Sequence, residues 1–162
     1  MSDDYEDLTT CSLTPELEAR LLHLQRECVF MWTNSDGEAF GVVMAVLPKD
    51  GRFWLTAAER RKRIAALRRF PRASLCFNST GTKMGPGKTI SYKGTCTVHS
   101  DRATKDWFYP EFSRWLHRDE SAAAEFQKFL DSPHRVIIEF VPDYSLSFDG
   151  ELMMQRSPDA SW

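Results

Sequence analysis

Apolar residues recur with two different periods along this chain. Near its start, Leu17, Leu21 and Leu24 fall on one face of a helix, which Thr14 can cap. After Glu27 the pattern changes to runs of aromatic and β-branched side chains, separated by turns rich in Asn, Asp, Gly and Pro. The sequence therefore predicts an antiparallel meander of strands at 28–33, 39–47 and 52–56.

The rest of the chain alternates helical and extended segments. Helices are predicted at 57–69, 101–118 and 121–131, and strands at 72–77, 89–99, 135–141 and 146–153. Gly94 interrupts one of these strands and indicates a bulge or a close backbone contact. Strands in hairpins with helices inserted between them predict a mainly β, α+β fold: a small closed or half-closed barrel with peripheral helices.

The composition is that of one globular domain. Hydrophobic residues make up 42% and charged residues 27% of the 162 positions, which is ordinary for a folded protein. We place the domain at 14–154, between flexible tails at 1–13 and 155–162. The net charge of −2 argues against a nucleic-acid-binding protein. Without a membrane-length apolar run or a signal-peptide pattern, no membrane association and a cytoplasmic location are expected.

The sequence contains no recognisable metal-binding or catalytic motif. The four cysteines and four histidines are dispersed, so we expect free thiols and no metal site. No serine, cysteine or aspartate stands in a known catalytic arrangement, and catalytic residues stay unassigned. Any reaction would then depend on a bound cofactor. One or two of the tryptophans are candidates to flank a planar cofactor, although most are expected in the core.

The strongest candidate site is a basic cluster. Seven of the 21 basic residues lie between positions 59 and 72, and Glu59 is the only acidic residue there. The cluster begins where a helix is predicted to start, directly after a strand that ends at Thr56. A helix start offers unpaired N–H groups and a positive dipole end, and arginine binds phosphate through two parallel donors. The cluster is predicted to bind phosphate; a solvated helix face and a nucleic-acid patch are the alternatives.

A second candidate is the segment 81–89, which ends in Gly-Pro-Gly-Lys-Thr. A nucleotide-binding P-loop needs a glycine at position 82, which is threonine, and a helix after the lysine, where a strand is predicted. The segment 81–89 is therefore not predicted to be a P-loop. Lys88 and Thr89 stay candidate contacts to a ligand phosphate or ring edge at the start of that strand.

Two stretches of the chain resemble the pyridoxamine 5′-phosphate oxidase-like family of FMN-binding split β-barrels. The first, Gly51–Leu75, has a strand ending in threonine, a basic pair and the pattern Leu-x-x-x-Pro-Arg-x-x-Leu. The second, Ile90–Val98, is similar to the family strand that carries a central glycine. Residues 101–115 with 136–142 resemble the general-stress-protein branch. The resemblance covers residues 14–152 and implies a six- to seven-stranded antiparallel split barrel.

The resemblance also implies a homodimer with FMN bound at the subunit interface. By position, the resemblance implies flavin contacts at Leu55 and Thr56, cofactor-proximal positions at Thr89 and Ser91, and a phosphate contact at Arg61 together with Lys62 or Arg63. The implied activity is that of a flavin-dependent oxidoreductase acting on an unidentified small molecule.

The chain departs from true pyridoxamine phosphate oxidases. Phe40 and Ala45 stand where those enzymes carry an Arg and a Lys, and their C-terminal Arg-x-His has no counterpart. A vitamin B6 oxidase is therefore not expected. The alternatives are a reductase that uses the deazaflavin F420, as some relatives do, and a non-catalytic carrier or sensor of flavin or haem.

Overall fold

The computed structural model describes residues 7–156. The strands are β1 (Glu27–Thr33), β2 (Ala39–Ala45), β3 (Leu47–Lys49), β4 (Arg52–Ala58), β5 (Arg72–Asn78), β6 (Lys88–His99) and β7 (Arg135–Asp149). The helices are α1 (Pro15–Leu24), α2 (Lys62–Arg69), α3 (Arg102–Leu116), α4 (Glu120–Leu130) and α5 (Gly150–Arg156). All seven strands pair antiparallel in the order β2-β1-β5-β6-β7-β4-β3. The sheet curls into a half-barrel, which confirms the predicted fold class.

The inner face of the curled sheet forms the main core. Phe30, Leu55, Leu75 and Phe140 are fully buried there. Their neighbours along each strand point to the other face, as the period of two in a strand requires. Since burying one such side chain contributes about 1.5–3 kcal/mol, this core accounts for much of the fold's stability. Helix α2 adds Ile64 and Leu67 to the same cluster.

The outer face of the sheet is covered on one half only. There α3 and α4 pack against β4 and β7 in a second cluster that contains Trp54, Phe112 and Ile137. We call the other half the open face. Cross-strand partners form a row across it, in the order Val43, Val29, Cys76, Ser91 and Leu146. At the two ends of this row, Val43 is 64% and Leu146 is 61% exposed.

The expected irregularity at Gly94 is confirmed. The register between β6 and β7 shifts between Lys93 and Gly94. A Cβ at position 94 would lie 2.3 Å from the carbonyl oxygen of Val141. Only glycine therefore permits this approach of the two backbones. Pro142 pairs with Gly94 at the same bulge, where a strand tolerates a residue without an N–H.

The C-terminal elements differ from the sequence prediction. One strand, β7, runs through to Asp149 in place of the two strands predicted at 135–141 and 146–153, and α5 follows it. The carboxylate of Asp149 accepts a hydrogen bond from the N–H of Glu151 at 3.0 Å, so it caps the helix that replaces the end of the predicted strand.

The ends of the chain bear on the predicted tails. Cys11 and Leu13 are buried, and the carbonyl of Cys11 accepts a hydrogen bond from the N–H of Asp149 at 2.7 Å. The packed part of the chain thus begins before residue 14. Residues 1–6 and 157–162 lie outside the described part, so the tails proposed there stay predictions.

The cysteines are free thiols, as expected. None of the helices within residues 7–156 is long and apolar enough to span a membrane.

Candidate functional site

A pocket of 470 Å³ lies between the β1–β2 hairpin and α2, a size typical of small-molecule sites. Its hairpin wall combines the stacked rings of Trp32 and Phe40, whose centroids are 5.9 Å apart, with the polar turn residues 34–36. Its helix wall carries Lys62 and Arg69, separated by two small alanines that leave room for a ligand. We call this the helix pocket.

The local structure follows from the sequence on both walls. Lys62 and Arg69 are seven residues apart, so they fall on one face of α2 after two turns. Ile64 and Leu67 lie on another face and anchor the helix in the barrel core. In the hairpin, Asn34 fixes the turn because its side-chain oxygen accepts hydrogen bonds from two backbone N–H groups at 2.9 Å.

The helix pocket carries an excess of positive charge, because Lys62 and Arg69 line it together with a single carboxylate, Asp36. Among residues 7–156, neither Lys62 nor Arg69 has a carboxylate within 4.0 Å, whereas Arg68, next in sequence to Arg69, pairs with Glu59. Two cations without acidic partners beside an aromatic wall suit a ligand that combines an anionic group with a planar ring.

The start of α2 adds further unbalanced charge. Arg61 occupies the N-cap without a side-chain hydrogen bond to the helix, and the first turn contains no acidic residue. Cations are unfavourable at this end of a helix dipole. Arg63 is half-buried, and its Nε is buried without a hydrogen-bond partner in the described part of the chain. Burial, and secondarily the charge of Arg61, lowers the pKa of Arg63. A bound phosphate would relieve all three conditions.

A second, shallower pocket of 270 Å³ lies on the other side of Trp32. We call it the sheet pocket, because Met31, Ser74 and Lys93, which line it, are cross-strand neighbours on the open face. Trp32 lines both pockets, so the two adjoin each other at this residue, and we refer to them together as the groove.

The predicted contacts on β4 turn their side chains away from this groove. Leu55 is fully buried in the barrel core. The hydroxyl of Thr56 donates to the carbonyl of Val136 at 2.8 Å. However, the pairing of β4 with β3 ends at Trp54, so the strand continues to Ala58 without β3 beside it. Any ligand contact from Leu55 or Thr56 would come from the backbone of this edge.

The predicted contacts on β6 are separated from the basic cluster within one chain. Thr56 pairs with Ile137, which pairs with His99 at the far end of β6. Lys88 and Thr89 lie at the opposite end of β6 from His99. At about 3.3 Å per residue, the distance between the two ends along the strand is roughly 35 Å. Of the predicted residues, only Lys62 lines the helix pocket, and Ser91 lies two positions from Lys93 of the sheet pocket.

Lys88 forms ion pairs at the start of β6. Its side chain is buried, and its Nζ lies 2.8 Å from a carboxylate oxygen of Glu151 and 3.5 Å from one of Asp149. These contacts, led by the hydrogen bond to Glu151, raise the pKa of Lys88. Lys88 thus ties the start of β6 to α5 and does not face the groove, whereas Thr89 points to the outer side of the sheet beside Phe148.

Of the nine residues that line the helix pocket, only Lys62 is among the predicted contacts. Arg69 belongs to the predicted basic cluster but is not singled out within it, Trp32 is one of several candidate tryptophans, and Phe40 is not predicted as a contact. Arg69 could have been found from its seven-residue spacing to Lys62. The two aromatic residues could not, because a tryptophan in a strand is more often a core residue and the strand pattern does not reveal what lies opposite the hairpin.

The family model of pyridoxamine 5′-phosphate oxidase matches residues 13–145. The chain belongs to the pyridoxamine 5′-phosphate oxidase family. This confirms the resemblance drawn from the sequence, and the family includes flavin-dependent oxidoreductases. No curated protein matches the chain.

Several solved structures share the fold of this chain. A conserved hypothetical protein from Mycobacterium tuberculosis superposes with a TM-score of 0.76 at 16% identity, over 95% of this chain and 94% of that one. General stress protein 26 from Bacillus anthracis gives 0.59 at 18% identity, over 82% and 92%. An F420 reductase gives 0.59 at 14% identity, over 78% and 94%. At these identities the similarity establishes the fold alone.

Proposed function

We propose that this protein is a flavin-dependent oxidoreductase that holds FMN in the helix pocket and acts on a small molecule. The observation that carries this proposal is the position of Lys62 and Arg69, two cations that outnumber the one carboxylate of the pocket, Asp36, and form no ion pair with it, across from the stacked rings of Trp32 and Phe40. FMN has the matching chemistry, a dianionic phosphate at one end and a planar ring at the other.

The residues present fit such a cofactor. Lys62 and Arg69 would bind the phosphate, with Arg61 and Arg63 at the helix start as further donors. Phe40 is half-exposed and offers a face for ring stacking. The pocket volume of 470 Å³ lies within the range of cofactor sites. When bound, the flavin would supply hydride transfer.

The chain's own part in the reaction would be binding and orientation. Charge-assisted hydrogen bonds from Lys62 and Arg69 fix one end of the cofactor. Trp32 lines both the helix pocket and the sheet pocket, so its indole would limit how far a bound ring can move toward the open face. The unpaired edge of β4 at Leu55 and Thr56 offers backbone groups to polar atoms of the ring.

A homodimer formed through the open face is the second part of the proposal. Exposed apolar side chains on this face, Val43, Tyr144 and Leu146, favour burial against another surface. Thr89 and Ser91 also belong to the outer side of this sheet half but lie far from the basic cluster of their own chain. Two copies packed face to face would allow one chain to supply these hydroxyls to the cofactor of the other.

The substitution of Phe40 and Ala45 for the Arg and Lys of true pyridoxamine phosphate oxidases argues against vitamin B6 as the substrate. F420 is the second candidate cofactor, because an F420 reductase shares the fold over 94% of its length. F420 also joins an anionic chain to a planar ring, so the same pocket chemistry applies to it.

The test is to purify the protein, record its absorption spectrum and determine the mass of any bound small molecule. The colourless fraction is then titrated with FMN and with F420. We expect a flavin-type spectrum, or saturable binding of one of the two cofactors with one site per chain. A colourless protein that binds neither cofactor would contradict the proposal.

A further inference from the structure

The sheet pocket combines apolar walls with a local excess of positive charge. Met31, Trp32 and Phe70 form the apolar part, and the ring of Phe70 is 49% exposed. Arg72 and Lys93 supply two cations at the rim. The pocket is thus built for a ligand that is apolar over most of its surface and charged at one end.

One of the two cations is already neutralised. Arg72 pairs with Asp143 and donates to the hydroxyl of Thr95 at 3.0 Å. The hydrogen bond from Arg72, with a weaker influence of Lys93, lowers the pKa of Asp143. Asp143 therefore stays ionised and is committed to Arg72.

Lys93 is the cation left over. In the described part of the chain it has no carboxylate within 4.0 Å, and its ammonium lies 4.6 Å from the ring centre of Tyr144. Ser74 stands directly opposite Lys93 in the pairing of β5 with β6, and its side chain also lines the pocket. A lysine and a serine hydroxyl side by side are suitable donors for one carboxylate.

We propose that the sheet pocket is the substrate site and that it binds a small aromatic monocarboxylate, with the carboxylate on Lys93 and the ring against Trp32 and Phe70. The proposal rests on the proposed function, because Trp32 is the wall that this pocket shares with the helix pocket. The volume of 270 Å³ suits a single ring and not a second nucleotide. The pocket lies on the open face, so the partner copy of the proposed dimer would close it.

The experiment measures binding of benzoate and of its neutral isostere benzamide by calorimetry, to the protein with and without FMN. We compare the wild type with Lys93→Ala, Lys93→Arg and the control Lys83→Ala, which removes an exposed loop lysine outside the pocket. We expect Lys93→Ala to weaken benzoate binding about 10- to 100-fold, as for the loss of one charge-assisted hydrogen bond. Lys93→Arg should recover part of the affinity, and Lys83→Ala should leave it unchanged.

Benzamide should bind the wild type more weakly than benzoate and should not respond to Lys93→Ala. The inference is overturned if the wild type binds no benzoate, if benzamide binds equally well, or if Lys93→Ala and Lys83→Ala behave alike. If FMN still binds in those cases, only the substrate site is lost. If FMN itself does not bind, the proposed function has failed independently of the benzoate result.

Discussion

Lys62 and Arg69 lie two helical turns apart on α2, and both line the helix pocket without a carboxylate partner in the described chain. Arg68, the neighbour of Arg69, instead pairs with Glu59 on the exposed side of the helix. The two adjacent arginines therefore provide a matched pair of variants. Arg69→Ala should lower FMN affinity about 10- to 100-fold, as expected when a charge-assisted bond worth about 1.5–3 kcal/mol is lost.

Arg68→Ala is the control for this experiment, because an exposed ion pair contributes only about 0–1 kcal/mol to stability and nothing to the pocket. Fluorescence titration of FMN into both variants measures the difference. Equal affinities of the two variants would place the phosphate outside the helix pocket.

Arg63→Met should change stability and binding in opposite directions. The buried, unpartnered Nε of Arg63 destabilises the cofactor-free protein, and methionine of similar length removes it. We expect the free energy of unfolding without cofactor to rise by about 1 kcal/mol, measured by urea denaturation. FMN affinity should fall, because Arg63 is a candidate phosphate donor. A variant that binds FMN as tightly as the wild type would remove Arg63 from the site.

The fold could be predicted largely from the sequence, since its signals are local. The strands at 28–33 and 52–56 were correct within a residue or two because alternation and turn residues mark them directly. The failure at residues 142–153 had a specific cause. Pro142 and Asp143 look like a turn, yet they continue β7 through the bulge opposite Gly94, and such a bulge depends on a partner strand distant in sequence.

The candidate site could be predicted only in part. Lys62 was found because charge density and a helix start are visible in the sequence. Arg69 and Phe40 enter the same pocket only when α2 packs beside the β1–β2 hairpin. Lys88 was assigned as a ligand contact from its motif, but the alternation of β6 turns it inward to Glu151. Its motif contained no information about which face of the strand it would occupy.

Leu146→Glu should convert the proposed dimer into a monomer. Leu146 is 61% exposed on the open face, and a carboxylate there would be buried without a partner in the dimer. Phe129→Glu is the control, because Phe129 is 68% exposed but lies on α4, away from the open face. Sedimentation velocity should give a monomer for the first variant and a dimer for the second. A wild-type monomer, or equal behaviour of both variants, would refute this interface.

The protein should lose stability between pH 9 and pH 12. Burial raises the pKa of the Cys28 thiol from 9.0 to about 12, and burial likewise raises that of Cys96 from 9.0 to about 12. The folded protein keeps protons that the unfolded chain releases above pH 9, so the free energy of unfolding falls as pH rises. Each thiol contributes a slope of up to about 1.4 kcal/mol per pH unit.

Urea denaturation at several alkaline pH values measures this slope. In the double variant Cys28→Ala and Cys96→Ala, the free energy of unfolding should fall less steeply with rising pH than in the wild type, whatever the difference in stability at pH 7. An unchanged slope would mean that the two thiols titrate alike in the folded and unfolded chains.

The most direct measurement compares the dissociation constants of FMN and riboflavin, which differ only in the phosphate, for the wild type and for Arg69→Ala. The account predicts that the wild type binds FMN at least about tenfold more tightly than riboflavin, through its charge-assisted bonds to the phosphate. Arg69→Ala should reduce this preference and leave riboflavin affinity nearly unchanged. Equal binding of FMN and riboflavin by the wild type, or a preference that survives in Arg69→Ala, would contradict the helix pocket as the phosphate-binding site.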